Sequence, residues 1–289
     1  MRGIDGELPQ LDAGHYSGTE QPRLVEPYTT LEGNGCWCRQ RGEVRGFRTD
    51  RITGLSATTT PFEPIHSRAV AGPGMGLAIA RTFGARGFDV ALISRNHAKL
   101  DDLIGKLKAE GINAAAFSAD VLDRDALTQA LKDAATHFGG IDVLEYSPVG
   151  GFGSTTLTVP TETDPSHVQH EMEFQLYGAI AATRAVLPAM REAGAGTLLY
   201  TTGAGSIDPV PQVGNVNAAA AALRNWVINL HKELDGTGIQ AAHVGIDVAI
   251  GSSDAAVPGF PTAPAEQISP VYWELHTTDR NKAERVFSI

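Results

Sequence analysis

Residues 68–96 have the sequence RAVAGPGMGLAIARTFGARGFDVALISRN, which predicts a glycine-rich turn, a helix and a strand in succession. The helix is expected from Met75 to Arg86, where apolar residues recur at helical spacing, and the strand from Asp89 to Ser94. Three glycines occupy the turn: Gly72, Gly74 and Gly76. Glycines there let backbone N–H groups approach a pyrophosphate, and the helix N-terminus adds a favourable dipole. The stretch is therefore typical of a dinucleotide-binding domain, although a tight turn without a ligand gives the same pattern.

Apolar strands alternate with amphipathic helices from Ala69 to the end of the chain. This alternation predicts an α/β fold, with a parallel sheet covered by helices on both faces. Further helices are expected over 98–110, 124–138, 167–193, 215–233 and 269–287. Further strands are expected over 113–120, 141–147, 196–203 and 239–250.

The strand predicted from Asp89 leads into Ser94, Arg95 and Asn96, about twenty residues past the glycine turn. An NAD site usually carries Asp or Glu there to bind the ribose hydroxyls, whereas an arginine pairs with a 2′-phosphate. Arg95 therefore favours NADP over NAD as the cofactor. The alternative is that Arg95 is a solvated side chain after a strand.

Residues 69 to about 287 resemble the short-chain dehydrogenase/reductase family, which has a single Rossmann-type domain with a doubly wound parallel sheet in three α/β/α layers. The resemblance lies in the segment from Gly72 to Asn96, in SADVLD around Asp120, and in TRAVLPAM and AALRNW on two long helices. It implies a cofactor site formed by the following residues: Gly72, Gly74, Met75, Gly76, Ser94, Arg95, Asn96, Asp120, Val121 and Ser147.

The residues before the turn depart from the family pattern. The first glycine of the family motif falls on Val70. In the family a strand leads into the glycine turn, and this lead-in strand is replaced here by PFEPIHSRAV, residues 61–70. Prolines and charged residues do not suit a central strand that is buried on both faces. We therefore interpret residues 1–65 as an irregular or disordered extension and residues 66–289 as the Rossmann-type domain. A misassigned start, a shifted reading frame or a genuine divergent extension would each explain this.

The family's proton-transferring pair is absent from the sequence. The positions of its Tyr and Lys fall on Val216 and Ala220, or on Asn215 and Ala219 with a shift of one residue. Moreover, none of the six tyrosines has Lys four residues later. No realignment therefore restores the pair, and turnover is not expected to depend on a tyrosine.

Hydroxyl and amide side chains remain at other catalytic positions of the family. The Ser position falls on Thr202 or Gly203, and the Asn position falls on Gln175. The catalytic candidates are therefore Thr202, Asn215 and Gln175, with a helix N-cap as the alternative role of Asn215. Five other titratable residues are interpreted as core or surface residues: Tyr146, Tyr200, His167, His170 and His243.

The composition of the chain argues against several classes of binding partner. The net charge of −10 and the pI near 5.3 argue against affinity for nucleic acid or anionic membranes, which need a basic surface. The sequence has neither a signal-peptide core nor an apolar run of about 20 residues, so a cytoplasmic protein is expected. Cys36 and Cys38 form a poor zinc signature without a second ligand pair, and no metal is expected.

Two functions remain open. The first is an NAD(P)-dependent oxidoreductase that transfers a hydride to or from a small carbonyl or alcohol substrate with an atypical proton relay. The second is a catalytically impaired pseudoenzyme that holds NADP and acts as a binding or interaction protein. The small apolar residues of Gly251–Pro264 favour a modest hydrophobic substrate. The resemblance also implies a homo-oligomer formed through the long helices.

Overall fold

The computed structural model describes residues 74–148, 156–251 and 261–289, together with the backbone of five strands in the first part of the chain. These strands are β1 (Glu7–Leu11), β2 (Arg23–Pro27), β3 (Gly35–Cys38), β4 (Glu43–Gly46) and β5 (Leu55–Pro61). They pair in the antiparallel order β4-β3-β2-β1-β5. Strands of four to seven residues carry too little periodicity to be separated from a loop in the sequence. The other residues of 1–65 lie outside the described residues, and the interpretation of 1–65 as an irregular or disordered extension stays a prediction.

The remaining elements follow in a second unit, which begins after Val70. Its helices are α1 (Met75–Gly84), α2 (His97–Ala109), α3 (Arg124–Phe138), α4 (Pro165–Glu171), α5 (Gly178–Ala193), α6 (Gly214–Glu233), α7 (Ala265–Ile268) and α8 (Pro270–Thr277). Its strands are β6 (Val90–Ser94), β7 (Ala114–Ser118), β8 (Val143–Tyr146), β9 (Gly196–Gly203), β10 (Ile239–Ile246), β11 (Ala249–Ile250), β12 (Thr262–Ala263) and β13 (Glu284–Phe287). Among the described residues, no helix combines the length and the apolar composition that crossing a membrane requires.

The parallel strands of this unit form two main groups. Strand β6 pairs with β7, and β8, β9, β10 and β13 pair in that order. No strand within the described ranges joins β6 to β8. The lead-in strand of the family pattern would precede the glycine turn, and residues 62–73 lie outside the described residues.

Helices cover both faces of the larger sheet. On β9, Leu198 and Tyr200 pack against apolar residues of α3, α5 and α6, while Leu199 faces α1, α7 and α8. These three side chains are all fully buried. Alternate residues of one strand therefore belong to opposite cores, which confirms the predicted three-layer α/β arrangement.

The end of the chain differs from the predicted helix over 269–287. Helix α8 stops at Thr277, and β13 then pairs in parallel with β10, so that Glu284 lies opposite His243. The polar turn before β13 is closed by backbone hydrogen bonds from Asp279 N to Glu274 O and from Lys282 N to Asp279 O. Pairing with the sheet thus overrides the local helical pattern.

The predicted long helix over 167–193 contains a turn of π-helix at Met172–Tyr177, between α4 and α5. There the hydroxyl of Tyr146 donates a hydrogen bond of 2.8 Å to the carbonyl of Phe174. The neighbouring Gly178 leaves room for the tyrosine, because a Cβ at Gly178 would lie 2.1 Å from Tyr146 Oη. The same Cβ would lie 3.2 Å from the carbonyl of Val121, so the segment after β7 and the end of β8 meet here.

This contact predicts a stability change at Gly178. We expect Gly178→Ala to lower the free energy of unfolding by roughly 1–3 kcal/mol, because the added methyl group displaces Tyr146. Gly105→Ala in α2 is the matched control, since a Cβ there meets no atom within 4 Å. The control should raise the free energy of unfolding by about 0.4–1 kcal/mol. Urea unfolding followed by circular dichroism measures both, and equal effects would contradict the packing described.

Candidate active site

Helix α1 begins directly after Gly74, which provides no side-chain cap. Among the described residues, a Cβ at Gly74 or Gly76 would meet no atom within 4 Å. The first backbone N–H groups of a helix lack intrahelical acceptors and favour an anion. Met75 is buried in the core under α1, so only its backbone is available to a ligand. Gly72 lies outside the described residues.

An arginine and an aspartate meet after the ends of β6 and β7. Arg95 Nη1 lies 3.5 Å from Asp120 Oδ2, and 58% of the Arg95 side chain is exposed. An exposed pair at this distance contributes little stability, so the guanidinium can turn towards a phosphate. The other oxygen of Asp120 accepts a hydrogen bond of 3.0 Å from Leu122 N.

The remaining predicted cofactor residues follow the same strands. Ser94 ends β6, and its carbonyl accepts a hydrogen bond of 3.2 Å from Ala119 N. Asn96 caps α2, because its Oδ1 accepts from Lys99 N at 3.1 Å. Val121 packs against the core beside α5, and Ser147 follows β8. The carboxyl ends of parallel strands are the usual place for a nucleotide in this type of sheet. The uncapped N-terminus of α1 and the exposed Arg95 therefore fit a dinucleotide.

Thr202, near the end of β9, belongs to a buried hydrogen-bonded network. Its Oγ1 lies 2.8 Å from His243 Nε2 and 2.9 Å from Ser206 Oγ. His243 Nδ1 lies 3.0 Å from Glu284 Oε2, and Arg224 pairs with both oxygens of Glu284. His243 is fully buried, whereas Glu284 and Arg224 are partly exposed. We call Thr202, His243 and Glu284, with Arg224 behind them, the sheet-edge network.

Burial and charge determine the protonation of this network. Burial lowers the pKa of His243 to about 4, and the nearby Glu284 only partly opposes it. Arg224 lowers the pKa of Glu284 through hydrogen bonds, so that the carboxylate is ionised at neutral pH. An ionised carboxylate only accepts, and a neutral imidazole carries one proton. His243 must therefore donate from Nδ1 to Glu284, which leaves Nε2 to accept from the hydroxyl of Thr202.

The other two catalytic candidates have different partners. Gln175 lies in the π-helical turn and donates from Nε2 to Glu171 Oε2 at 2.8 Å. The amide of Asn215 is fully buried, accepting from Thr158 N at 3.1 Å and donating to Thr156 O at 2.8 Å. These two bonds fix the loop of Thr156 and Thr158 to the start of α6, and a catalytic role of Asn215 stays a prediction. Asn215 is not a helix cap, because α6 already begins at Gly214.

A second polar cluster lies on the opposite face of β9. Glu145 accepts hydrogen bonds from Ser147 Oγ at 2.9 Å and from Thr201 Oγ1 at 3.0 Å. Thr201 Oγ1 also lies 2.7 Å from the hydroxyl of Tyr272, which is fully buried. Desolvation raises the pKa of Glu145 to about 7, although both hydroxyls oppose it. Sequence reasoning missed Glu145, whose only signal was a charged residue within the apolar strand IDVLEYS.

A groove between α3 and α5 is separate from these clusters. It encloses about 640 Å³ and is lined by residues that include Arg124, Tyr177 and Arg184. None of its lining residues is a predicted cofactor or catalytic residue. The candidate site therefore comprises the residues at the strand ends and the sheet-edge network, and this groove is not part of it.

Comparison with known proteins agrees with this architecture. The family model for short chain dehydrogenases matches residues 70–248. A short chain dehydrogenase of Pseudocercospora fijiensis is 26% identical over 246 residues, which cover 84% of this chain and 72% of that protein. Dehydrogenase/reductase SDR family member 4 of Bos taurus is 26% identical over 162 residues, which cover 56% of this chain and 57% of that protein.

Two solved structures share the fold. L-Sorbose reductase from Gluconobacter frateurii, complexed with NADPH and L-sorbose, superposes with a TM-score of 0.66 at 18% identity, covering 75% of this chain and 90% of that one. A metagenomic short-chain oxidoreductase in complex with NADP gives a TM-score of 0.62 at 23% identity, covering 75% and 93%. The domain is thus a Rossmann-type dinucleotide-binding fold. The chain belongs to the short-chain dehydrogenase family, whose members are NAD(P)-dependent oxidoreductases.

The buried carboxyl group of Glu145 predicts a pH-dependent stability. Its pKa in the folded state, about 7, exceeds the ordinary value. The folded state therefore holds a proton that the unfolded state releases, and stability falls as pH rises towards and through about 7. We expect Glu145→Gln to raise the free energy of unfolding above about pH 8 by roughly 1–3 kcal/mol, and to change it little near pH 5.

Urea unfolding at both pH values measures this difference. Glu192→Gln, on an exposed position of α5, is the matched control and should leave the pH dependence unchanged. Parallel pH curves for the parent and Glu145→Gln would show that the carboxyl group is solvated.

Proposed function

We propose that this protein is an NADP-dependent oxidoreductase that transfers a hydride to or from a small carbonyl or alcohol substrate, without the family's Tyr–Lys pair. The observation that carries the proposal is the hydroxyl of Thr202, which lies at the carboxyl end of β9 and is bonded to a buried histidine and a serine. The resemblance puts the family's serine position on Thr202 or Gly203, and with Thr202 at that position its hydroxyl would bind the substrate oxygen.

Residues at the strand ends would hold the cofactor. The open N-terminus of α1 suits the pyrophosphate, and Arg95 suits a 2′-phosphate, because it is exposed and its neighbour Asp120 holds it weakly. Asp120 and Val121 would contact the adenine, as the family resemblance implies. Ser94 and Ser147 follow the same strand ends, whereas the side chain of Asn96 already caps α2. When bound, the nicotinamide ring supplies or takes up the hydride.

Helix α6 explains why a different proton donor is needed. The positions of the family's Tyr and Lys fall on Val216 and Ala220, or on Asn215 and Ala219 with a shift of one residue, and both alanines are buried. Neither pair can exchange a proton. A pseudoenzyme that only binds NADP is the alternative that this helix favours, and turnover separates the two.

The substrate, the oligomeric state and the location in the cell stay predictions. Gly251–Pro264 is expected to face a small, modestly hydrophobic substrate, but residues 252–260 lie outside the described residues. Assembly through α5 and α6 and a cytoplasmic location rest on the sequence. A binding titration with NADPH, followed by its oxidation with a panel of ketones, aldehydes and diketones, tests the function.

Arg95 offers a direct test of cofactor choice. We expect Arg95→Asp to weaken the binding of NADPH relative to NADH by roughly 1.5–3 kcal/mol, because charge-assisted hydrogen bonds to the 2′-phosphate are replaced by repulsion. Fluorescence titration of both dinucleotides measures the difference. Arg191→Asp, in the last turn of α5, is the matched control for charge and should leave both affinities unchanged.

Each outcome has a distinct meaning. Equal affinities for NADPH and NADH before and after the change would show that Arg95 is only solvated. If the parent binds neither dinucleotide, the proposed cofactor site is wrong. If the parent binds NADPH but none of the tested carbonyls supports its oxidation, the pseudoenzyme is the better description.

A further inference from the structure

We infer that Thr202, His243 and Glu284 form a proton relay, in which Thr202 exchanges a proton with the substrate oxygen and Glu284 exchanges it with solvent. The inference rests on the proposed function and deepens it by naming the groups that replace the missing Tyr–Lys pair. His243 and Glu284 act through Thr202 and are positioning residues, whereas Thr202 is the catalytic residue.

The relay is continuous in space. Distances of 2.8 Å from Thr202 Oγ1 to His243 Nε2 and 3.0 Å from His243 Nδ1 to Glu284 Oε2 are both within hydrogen-bonding range. The exposed fraction rises from 0% for the His243 side chain to 24% for that of Glu284. A proton can therefore move between the buried hydroxyl and water along two hydrogen bonds.

Adjacent strands supply the three groups. β9 carries Thr202, β10 carries His243 and β13 carries Glu284, while α6 adds Arg224. A histidine with no exposed surface costs stability when an apolar side chain of similar volume would fill the same space. Bonding partners on both ring nitrogens keep it there, and such an arrangement is typical of a histidine that orients or transfers a proton.

Partners of His243 fix which ring nitrogen carries the proton at rest. Among the described residues, the charged groups that face it are Glu284 from β13 and Arg224 from α6, and Tyr200 is its register partner on β9. The proton of Thr202 has three acceptors within reach, namely Gly203 O, Ser206 Oγ and His243 Nε2. Because Glu284 holds the proton of the imidazole on Nδ1, Nε2 is a free base that can accept it.

Oxidation of an alcohol would then balance as follows. The substrate C–H bond breaks and its electron pair leaves with the hydrogen as hydride to the nicotinamide dinucleotide. The substrate O–H proton passes to Thr202 Oγ1 as the proton of Thr202 passes to His243 Nε2. The imidazolium releases its Nδ1 proton to the Glu284 carboxylate, which passes it to water. Oxidation leaves the imidazole proton on Nε2, and reduction of a carbonyl starts from that tautomer and reverses each transfer. Between turnovers the Nδ1 tautomer is restored, because Nε2 loses its proton through Thr202 to water in the empty site and Nδ1 regains one through Glu284.

Substitution of His243 tests the relay in the full-length protein. We expect His243→Gln and Glu284→Gln each to lower kcat for NADPH oxidation with diacetyl by roughly 10²-fold, since general acid–base catalysis contributes about 10²–10⁴-fold. KM for diacetyl and Kd for NADPH should not change. His231→Gln is the matched control, because His231 is partly buried and bonds Ala241 O at 2.9 Å without reaching Thr202.

A further readout separates a relay from a structural role. The pH dependence of kcat that arises from His243 should disappear in His243→Gln. If that variant loses NADPH binding along with turnover, Glu284→Gln decides, because Glu284 is partly exposed and its loss leaves the core intact. Unchanged kcat in Glu284→Gln would overturn the relay.

A measurement without substrate tests the same groups. Nitrogen NMR of the parent should show His243 neutral at pH 7, with its proton on Nδ1, and Glu284→Gln should disturb that tautomer. A proton on Nε2, or a charged imidazole at that pH, would overturn the relay. If none of the tested carbonyls supports NADPH oxidation by the parent, the proposed function fails. The tautomer of His243 still decides whether the hydrogen-bonded network exists.

Discussion

The parallel pairing of β9 with β10 over eight residues is the constraint on which the candidate site depends. This register places His243 opposite Tyr200, and the pairing of β10 with β13 places Glu284 opposite His243. A shift of one residue would turn every side chain of a strand to the other face. The hydrogen bonds from Thr202 to His243 and from His243 to Glu284 therefore exist only in this register.

Two polar clusters occupy opposite faces of β9 at the same end. Thr201 bonds to Glu145 and Tyr272 on one face, and Thr202 bonds to His243 on the other. Buried polar groups cost stability unless they are hydrogen-bonded, and each cluster meets that requirement through its own partners. The strand can thus carry polar residues into a region that is otherwise apolar, because its neighbours supply the complementary atoms.

Much of the fold could be predicted from the sequence, because periodicity and glycines act locally. The elements from α1 to α6 agree with the predicted order, and Arg95 follows β6 as expected. The candidate site was harder to predict from the sequence, because His243 within an apolar strand gives the same pattern as a core residue. Its partner Glu284 fell in a predicted helix over 269–287, so no sequence argument could bring the two together.

Asn215 shows the limit of inference from a motif position. Its place near the start of α6 favoured a catalytic or capping role, but its amide bonds the backbone of Thr156 and Thr158. Those contacts come from residues nearly sixty positions earlier, and only the folded chain reveals them. The tertiary partners, and not the residue type, therefore decide the role of such an amide.

The position of Arg224, the cation on α6, gives a reason why the proposed proton relay can lie on the sheet and not on α6. In the family a lysine on this helix lowers the pKa of the neighbouring tyrosine. Here α6 keeps a cation, Arg224, but the arginine pairs with Glu284 on the sheet and holds that carboxylate ionised. The ionised carboxylate fixes the proton of His243 on Nδ1, and this in turn leaves Nε2 to accept from Thr202. In the proposed relay, α6 therefore acts on the proton through Arg224 and the sheet, and the relay does not require a polar side chain at Val216 or Ala220.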